Sequence, residues 1–451
     1  MACVKTVVYF NFSEIQNTLG LCWFYRGIWM EGKHMSRVAD RFIAYARIDS
    51  PSDQDNLAHT PSLPGQFDTA HAIAKDLEDM GASDVCVDEH AYVTATIPAS
   101  AGAEELPPLL LCAHHDVAPD VKATGVKPHI VHYEGGTLHI GFDAEGNEVT
   151  TDEKETPGLA DYVGQDVICS DGTTLLGSDD KGAVAEIVEL AARLLEDPSK
   201  PHPTLKLALV PDEEIGHGAR LLDIGKTGCR WGYTVDGERV GKLNYECFNA
   251  SMWDVTARGL NVHPGIAKNV MVNAVRVLEE FDMALPAEER PQYTEGYEGF
   301  FHMMSLTGDV NHAMARYIVR DHDAERFAER EQLMRDAAAY INKRYGKELI
   351  TLSVNEQYRN MAEVIKNEGG QCLIDNALAA IREAGVEPEV LPIRGGTDGA
   401  QLTYRGLLCP NITNGGLNHH SIKELQSVQS MEKTVEILEH LVARFAVPQK
   451  A

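Results

Sequence analysis

The chain has 451 residues, 44% of them hydrophobic, and a formal net charge of −28. That length suggests two or three domains, and the apolar share is enough for a sizeable core. So acidic a chain is a poor partner for nucleic acid or an anionic membrane, which need a basic face; divalent cations, by contrast, require carboxylates.

Met1–His34 is rich in aromatics and cysteine and has no amphipathic period. It lacks a basic start, an unbroken apolar centre and a small-residue cleavage site, so it is a poor signal peptide. Helical patterning begins at Met35, with Val38, Phe42, Ile43 and Ala46 on one face. The expectation is that Met35 is the true start and that residues 1–34 are a non-native or unstructured extension. No run reaches the roughly 20 apolar residues of a membrane span. Nine scattered cysteines with no CxxC pair indicate neither a zinc ribbon nor a disulfide framework, and fit a reducing cytoplasm.

From Met35 to Cys247 helices and strands alternate, which predicts a largely parallel sheet flanked by helices. Gln66–Met80 reads as a helix, Val85–Ile97 as strand and Leu109–Ala113 as a short buried strand. Phe142–Pro157 is polar and acidic and reads as a solvated loop without a role. Leu175–Asp180 leads into a helix over Ala183–Leu195, Leu205–Val210 is a buried strand, and Gly232–Val235 is another. The texture then changes. Ala250–Val262, Phe300–Gly308 and Tyr317–Arg320 alternate as strands, while Ala274–Phe281 and Ala324–Tyr345 read as helices. This predicts an α+β domain over residues 248–360, inserted into an α/β domain made of 35–247 and 361–451. The C-terminal helix is predicted over Met431–Phe445.

Candidate chemistry lies where apolar strands stop, since ligands of open parallel sheets gather at the carboxyl ends of strands. In LLLCAHHD, His114 is a good zinc ligand, and Asp116 could hold its second ring nitrogen. In LLGSDDKG, Asp179 could bridge two metals, or the aspartate pair could cap the following helix. In LKLALVPDEEIGHG, Glu213 and Glu214 are adjacent glutamates at the end of a core strand. They are either a solvated acidic loop or a ligand beside a free proton acceptor. In YTVDG, Asp236 is a ligand or a turn residue. In PIRGGTDGAQL and NGGLNHHSIKE, Arg394 could hold a carboxylate or carbonyl and His420 could be a last ligand, with His115 and His419 incidental neighbours. His114, Asp179, Glu214, Asp236 and His420 supply two nitrogens and three carboxylates, which suits two zinc-class ions sharing one carboxylate. Two ions about 3.5–4 Å apart can hold one hydroxide and polarise a carbonyl, and Glu213 is then free as general base.

The ordered motifs AHHD, LLGSDDKG, VPDEEIGHGA, YTVDG, NVHPGIAKNVMVNA, TEGYEGF, RDHD, PIRGGTDGAQL and GGLNHH resemble those of the peptidase T family. These are the aminotripeptidases among the co-catalytic zinc (M20) peptidases, a group that also holds carboxypeptidase G-type enzymes and acylases. The match runs from about Met35 to the C-terminus. It implies an α/β/α sandwich catalytic domain with an inserted lid, and release of the N-terminal residue from tripeptides. It implies that His114 and Asp236 hold one zinc, Glu214 and His420 the other, with Asp179 bridging them and a cis peptide to Asp180. It also implies that Glu213 is the base, Asp116 the partner of His114, and His263, Arg320 and Arg394 substrate-binding residues. Cobalt and manganese accept the same ligands. The chain departs from the family pattern at Cys112, His217, Glu238, Arg239 and His419, and two of these, His217 and His419, bear on pocket shape.

The sequence thus predicts a cytoplasmic dizinc aminotripeptidase; it leaves the oligomeric state open, although the lid could offer an edge strand for pairing into a homodimer. The rivals are a carboxypeptidase or N-acyl amino acid deacylase on the same site, and a non-catalytic metal-dependent binding protein. The complete set of ligands plus Glu213 disfavours the last.

Overall fold

A computed structural model describes residues 36–449 of the chain. The proposed start at Met35 and the 1–34 extension lie outside the described residues.

The core is an eight-stranded sheet in the order β1 (Ser83–Val87), β2 (Val93–Ile97), β8 (Leu205–Val210), β3 (Leu109–His114), β9 (Trp231–Val235), β16 (Asn411–Ile412), β10 (Lys242–Asn244), β15 (Glu389–Val390). Its central strands β8, β3, β9 and β16 run parallel. The sheet is otherwise mixed, because β1 and β2 are joined by too short a link for a crossover and pair antiparallel. β2 also runs antiparallel to β8, and β10 to β16. Alternation along β3 divides its side chains between two layers. Leu109, Leu111 and Ala113 pack under the helices Arg37–Ala46, Gln66–Asp79, Ser178–Glu196, Gln371–Glu383 and Val428–Arg444. Leu110 and Cys112 face the other way, onto Ala219, Leu222, Leu402 and Leu407.

Residues 249–358 form a second unit. Its sheet is antiparallel throughout, in the order β12 (Phe300–Gly308), β13 (His312–Asp321), β11 (Asn249–Arg258), β14 (Ile350–Tyr358). Trp253, Val255 and Ala257 point from β11 into a core shared with the helices Ala274–Met283 and Ala324–Tyr345.

The acidic segment after Phe142 differs from its sequence reading. Leu138–Phe142 (β5) and Glu148–Thr151 (β6) pair as a hairpin. The β-branched Val149 and Thr151 are buried, although Glu145 and Glu148 around them are exposed. The Asp143 carboxylate accepts from the amides of Glu145 and Asn147 and so closes the turn. Beside the hairpin lies a third sheet, β17 (Gly416–Leu417), β18 (Leu425–Ser427), β7 (Gln165–Cys169), β4 (His129–Tyr133), which carries the segment bearing His419 and His420.

Among the described residues no helix is long and apolar enough to cross a membrane.

Candidate metal centre

The parallel register brings three strand ends level. His114 pairs with Val210, so the Pro211–Glu214 turn follows beside it. Cys112 pairs with Thr234, and the same register two residues on sets His114 opposite Asp236. These strands are buried and must end together at the rim of the core, so their first polar residues meet there.

Buried carboxylates hold the turn that carries the two glutamates. Asp116 accepts from the amides of Glu213 (3.1 Å) and Glu214 (3.2 Å). Asp212, in the left-handed region at φ 56, accepts from the Ser62 amide (2.7 Å) and from the Gln66 side-chain amide (2.7 Å). Asp398 accepts from the Ala219 amide at 2.7 Å. On the neighbouring element the Asp179–Asp180 peptide is cis. Glu424 takes the amides of Leu176, Gly177 and Asp179 at 2.8, 2.7 and 3.0 Å, and Asn414 donates to Asp180.

The side chains converge within this frame. His114 and Asp179 lie 2.9 Å apart, and His114 Nε2 is 3.9 Å from Glu213. The other ring nitrogen of His114 is 3.2 Å from the Asp116 carbonyl oxygen and 3.3 Å from the Asp116 carboxylate. His420 Nε2 is 2.9 Å from Glu214 and 3.5 Å from Asp179. His114, Glu213 and Asp236 each bring a ligand atom within 4.8 Å of the others, as do His114, Asp179 and Glu214.

The electrostatics are those of a cluster short of positive charge. Burial, then the charge of Asp179, pushes Glu214 up to about 8 and Asp236 up to about 6. Burial also holds Glu213 well above the ordinary carboxylate range, and Asp398, buried nearby, is pushed up to about 7. Asp179 goes the other way: despite its burial, three histidines hold it well below the usual range. No lysine or arginine pairs with Asp179, Glu213, Glu214 or Asp236 among the described residues, and one oxygen of Glu214 is buried without a partner. Hard oxygen donors with two imidazoles and no fixed cation fit a pair of divalent ions.

Other candidates stand apart from the cluster. His263 is exposed, and its ring accepts from the Gly265 amide. Arg394 is committed to a loop: it donates to the carbonyls of Gly296 (2.7 Å) and Glu298 (3.0 Å) and to Thr294 Oγ1 (2.9 Å). Arg320 donates to the Arg394 carbonyl, and its Nε is buried without a partner. Close by, the hydroxyl of Tyr358 is also buried and unpaired.

Two neighbours read as incidental separate here. His115 is buried, with Nε2 on the Ala91 carbonyl, and serves packing. His419 is part of the cluster, its Nδ1 3.3 Å from Asp179. It also lines a cavity of about 620 Å³ with Glu155, Thr156, Gly158 and Glu238, so the acidic segment reaches the site. Glu424, Asn414 and Asp398 were not assigned roles from sequence. Their partners lie more than 170 residues away along the chain, and no local pattern marks such contacts.

The chain is similar to known proteins in both sequence and fold. Residues 245–348 match the peptidase dimerisation domain of M20 enzymes. The chain is 45% identical over 399 residues to peptidase T of Parabacteroides distasonis, covering 88% of this chain and 96% of that one. It is 42% identical over 411 residues to peptidase T of Bacillus velezensis, covering 91% and 98%. The fold matches the crystal structure of aminopeptidase PepT from Bacillus cereus with a TM-score of 0.71 at 20% identity, over 92% of this chain and 100% of that chain. A dinuclear metal-binding M20 peptidase of Bacillus subtilis matches at 0.62 and 14% identity, over 90% and 97%. A catalytic sheet of this design, interrupted by such a domain, in a chain so close to these relatives over nearly its whole length, belongs to the peptidase T family of M20 peptidases.

Proposed function

We propose that this chain is an aminopeptidase that releases the N-terminal residue from tripeptides, with two zinc ions held by His114, Asp179, Glu214, Asp236 and His420. The observation that carries this reading is the knot of partly buried carboxylates around the buried His114 at the ends of parallel strands, with no lysine or arginine paired to it among the described residues. When bound, such an ion pair lowers the pKa of water and polarises a carbonyl.

The chain's own residues supply the rest. Glu213 takes a proton from the attacking water and delivers it to the leaving amine. In the metal-free chain, burial favours its protonated form. Asp116 serves the site twice: its carbonyl and carboxylate oxygens meet His114 Nδ1 and leave Nε2 facing the cluster, while the carboxylate also fixes the amides of Glu213 and Glu214. Arg320, with donor capacity to spare, is the better placed arginine for the substrate's carboxylate; Arg394 braces the Thr294–Glu298 loop beside it. His263, exposed on the lid, is the lid's candidate to meet the oxyanion, a role that requires the lid to close over the site. The seven described cysteines are all unpaired, which suits a cytoplasmic enzyme. The matched dimerisation domain supports a homodimer through residues 245–348.

The test is to load the protein with zinc and offer one unblocked tripeptide and its N-acetylated copy, reading products by mass spectrometry. Loss of the first residue from the unblocked peptide alone is the expected result. Cleavage of the acetylated copy, or release of the C-terminal residue, would instead indicate a deacylase or carboxypeptidase.

A further inference from the structure

The two histidines of the centre differ in setting. His114 is buried on a core strand, and Asp116, also buried, holds its second nitrogen. His420 sits on a loop in the left-handed region at φ 59, with 42% of its side chain exposed. A ligand so placed needs something to set the ring, because an exposed imidazole is free to turn about χ2.

Among the described residues one ionic group reaches its Nδ1, the nitrogen turned away from Glu214 and Asp179. The carboxylate of Asp120 lies 3.1 Å from His420 Nδ1. Among the described residues this is the one ion pair or hydrogen bond of the Asp120 side chain, which is 51% exposed. The loop beneath it is firm. Val117, Ala118, Ala123 and Leu175 form a small buried cluster around it. Backbone bonds tie Val117 to Ser50 and Ser52, and Lys122 to Leu175, on either side of Asp120. Asp116 and Asp120 therefore stand four residues apart on one stretch, HHDVAPD, and each meets the Nδ1 of a different histidine.

We propose that Asp120 is a positioning residue for His420. It accepts the Nδ1 proton, fixes the tautomer, and leaves the Nε2 lone pair aimed between Glu214 and Asp179, at 2.9 and 3.5 Å. An ion pair this exposed contributes little to folding, but a carboxylate behind a ligating imidazole typically changes metal affinity about 10–100-fold. The inference rests on the reading of His420 as a metal ligand.

The experiment titrates Zn²⁺ into chelator-stripped protein against a chromophoric zinc chelator and reads both dissociation constants. It compares wild type, Asp120→Ala, Asp120→Asn and His420→Ala, with a thermal melt of each stripped protein. In Asp120→Ala one site is expected to weaken about 10–100-fold, with the other site and the melt of the stripped protein unchanged. Asp120→Asn should fall between, since its amide oxygen still accepts from Nδ1. If His420→Ala weakens one site but Asp120→Ala leaves both constants unchanged, or weakens both equally, the positioning role is overturned while the metal centre stands. If wild type binds fewer than two ions, or His420→Ala changes neither constant, the assignment of His420 itself fails and the inference falls with it.

Discussion

The lid and the strand-end cluster handle acidic residues in opposite ways. On the lid, Asp254 meets Arg316 at 2.7 Å, Asp321 meets Arg330 at 2.7 Å, Asp282 meets Arg290 at 3.0 Å, and Glu280 meets Arg344 at 3.1 Å. The hydrogen bond from Arg316 pulls Asp254 below the ordinary carboxylate range. At the strand ends, Glu213, Glu214 and Asp236 pair with no arginine or lysine among the described residues, and burial drives all three upward. Residues of one chemical type are thus set in two ways: acids matched to a guanidinium hold an element in place, and acids left unmatched at the strand ends are the proposed receptor for cations.

The contrast can be broken most strongly at the cluster. His114→Ala removes a ligand common to both groups of ligand atoms. Turnover is expected to fall by about 10³-fold or more, the equivalent of several kcal/mol of lost transition-state stabilisation. Steady-state rates with an unblocked tripeptide, alongside metal analysis, check this; a rate near wild type would place the reaction elsewhere.

Next is the pH dependence of stripped protein. Glu214 at about 8 and Asp236 at about 6 keep their protons in the folded, metal-free chain, whereas in the unfolded chain they are released near pH 4. The folded state therefore binds more protons over that window, and the stability of stripped protein falls as pH rises from about 4 to about 8. Ions replace those protons, so the gap in Tm between loaded and stripped protein should be wider at pH 8 than at pH 5.5. Calorimetric melts of both forms at the two pH values decide it, and a gap that narrows would contradict the electrostatic picture.

Arg394 lies between the two regions. Arg394→Lys forfeits the forked donation to Gly296, Glu298 and Thr294 and should lower stability by about 1–3 kcal/mol. KM is expected to rise while kcat is largely kept, as the loop rather than the chemistry is disturbed. The smallest effect belongs to the lid: Asp254→Asn breaks a half-exposed pair with Arg316 and should cost less than about 1 kcal/mol, with unchanged kinetics. Denaturant melts resolve both.

The strand ends were legible in the sequence because each is an apolar run stopped by His, Asp or Glu, and burial forces such stops to one rim. Leu109–His114 and Leu205–Val210 illustrate this. The lid was legible from alternation, as in Phe300–Gly308, although β13 begins at His312 rather than Tyr317. The parts that stayed hidden depend on tertiary meeting. Glu424 reaches the Asp179 amide across 245 residues. Arg394 finds its carbonyls about 100 residues back. The Glu148–Thr151 strand hides in acidic sequence because its two buried residues are too few to set a period. His419 looked redundant beside His420, yet both rings face Asp179 from neighbouring backbone positions.

In the proposed mechanism adjacent glutamates divide the labour, one holding an ion and the other moving a proton. Measuring bound metal and turnover in Glu213→Gln and Glu214→Gln side by side separates the two roles. Glu213→Gln is expected to keep two ions per chain and lose about 10²–10⁴-fold in kcat, whereas Glu214→Gln is expected to lose an ion. If Glu213→Gln instead loses an ion while Glu214→Gln keeps both, the roles are reversed and the account is contradicted.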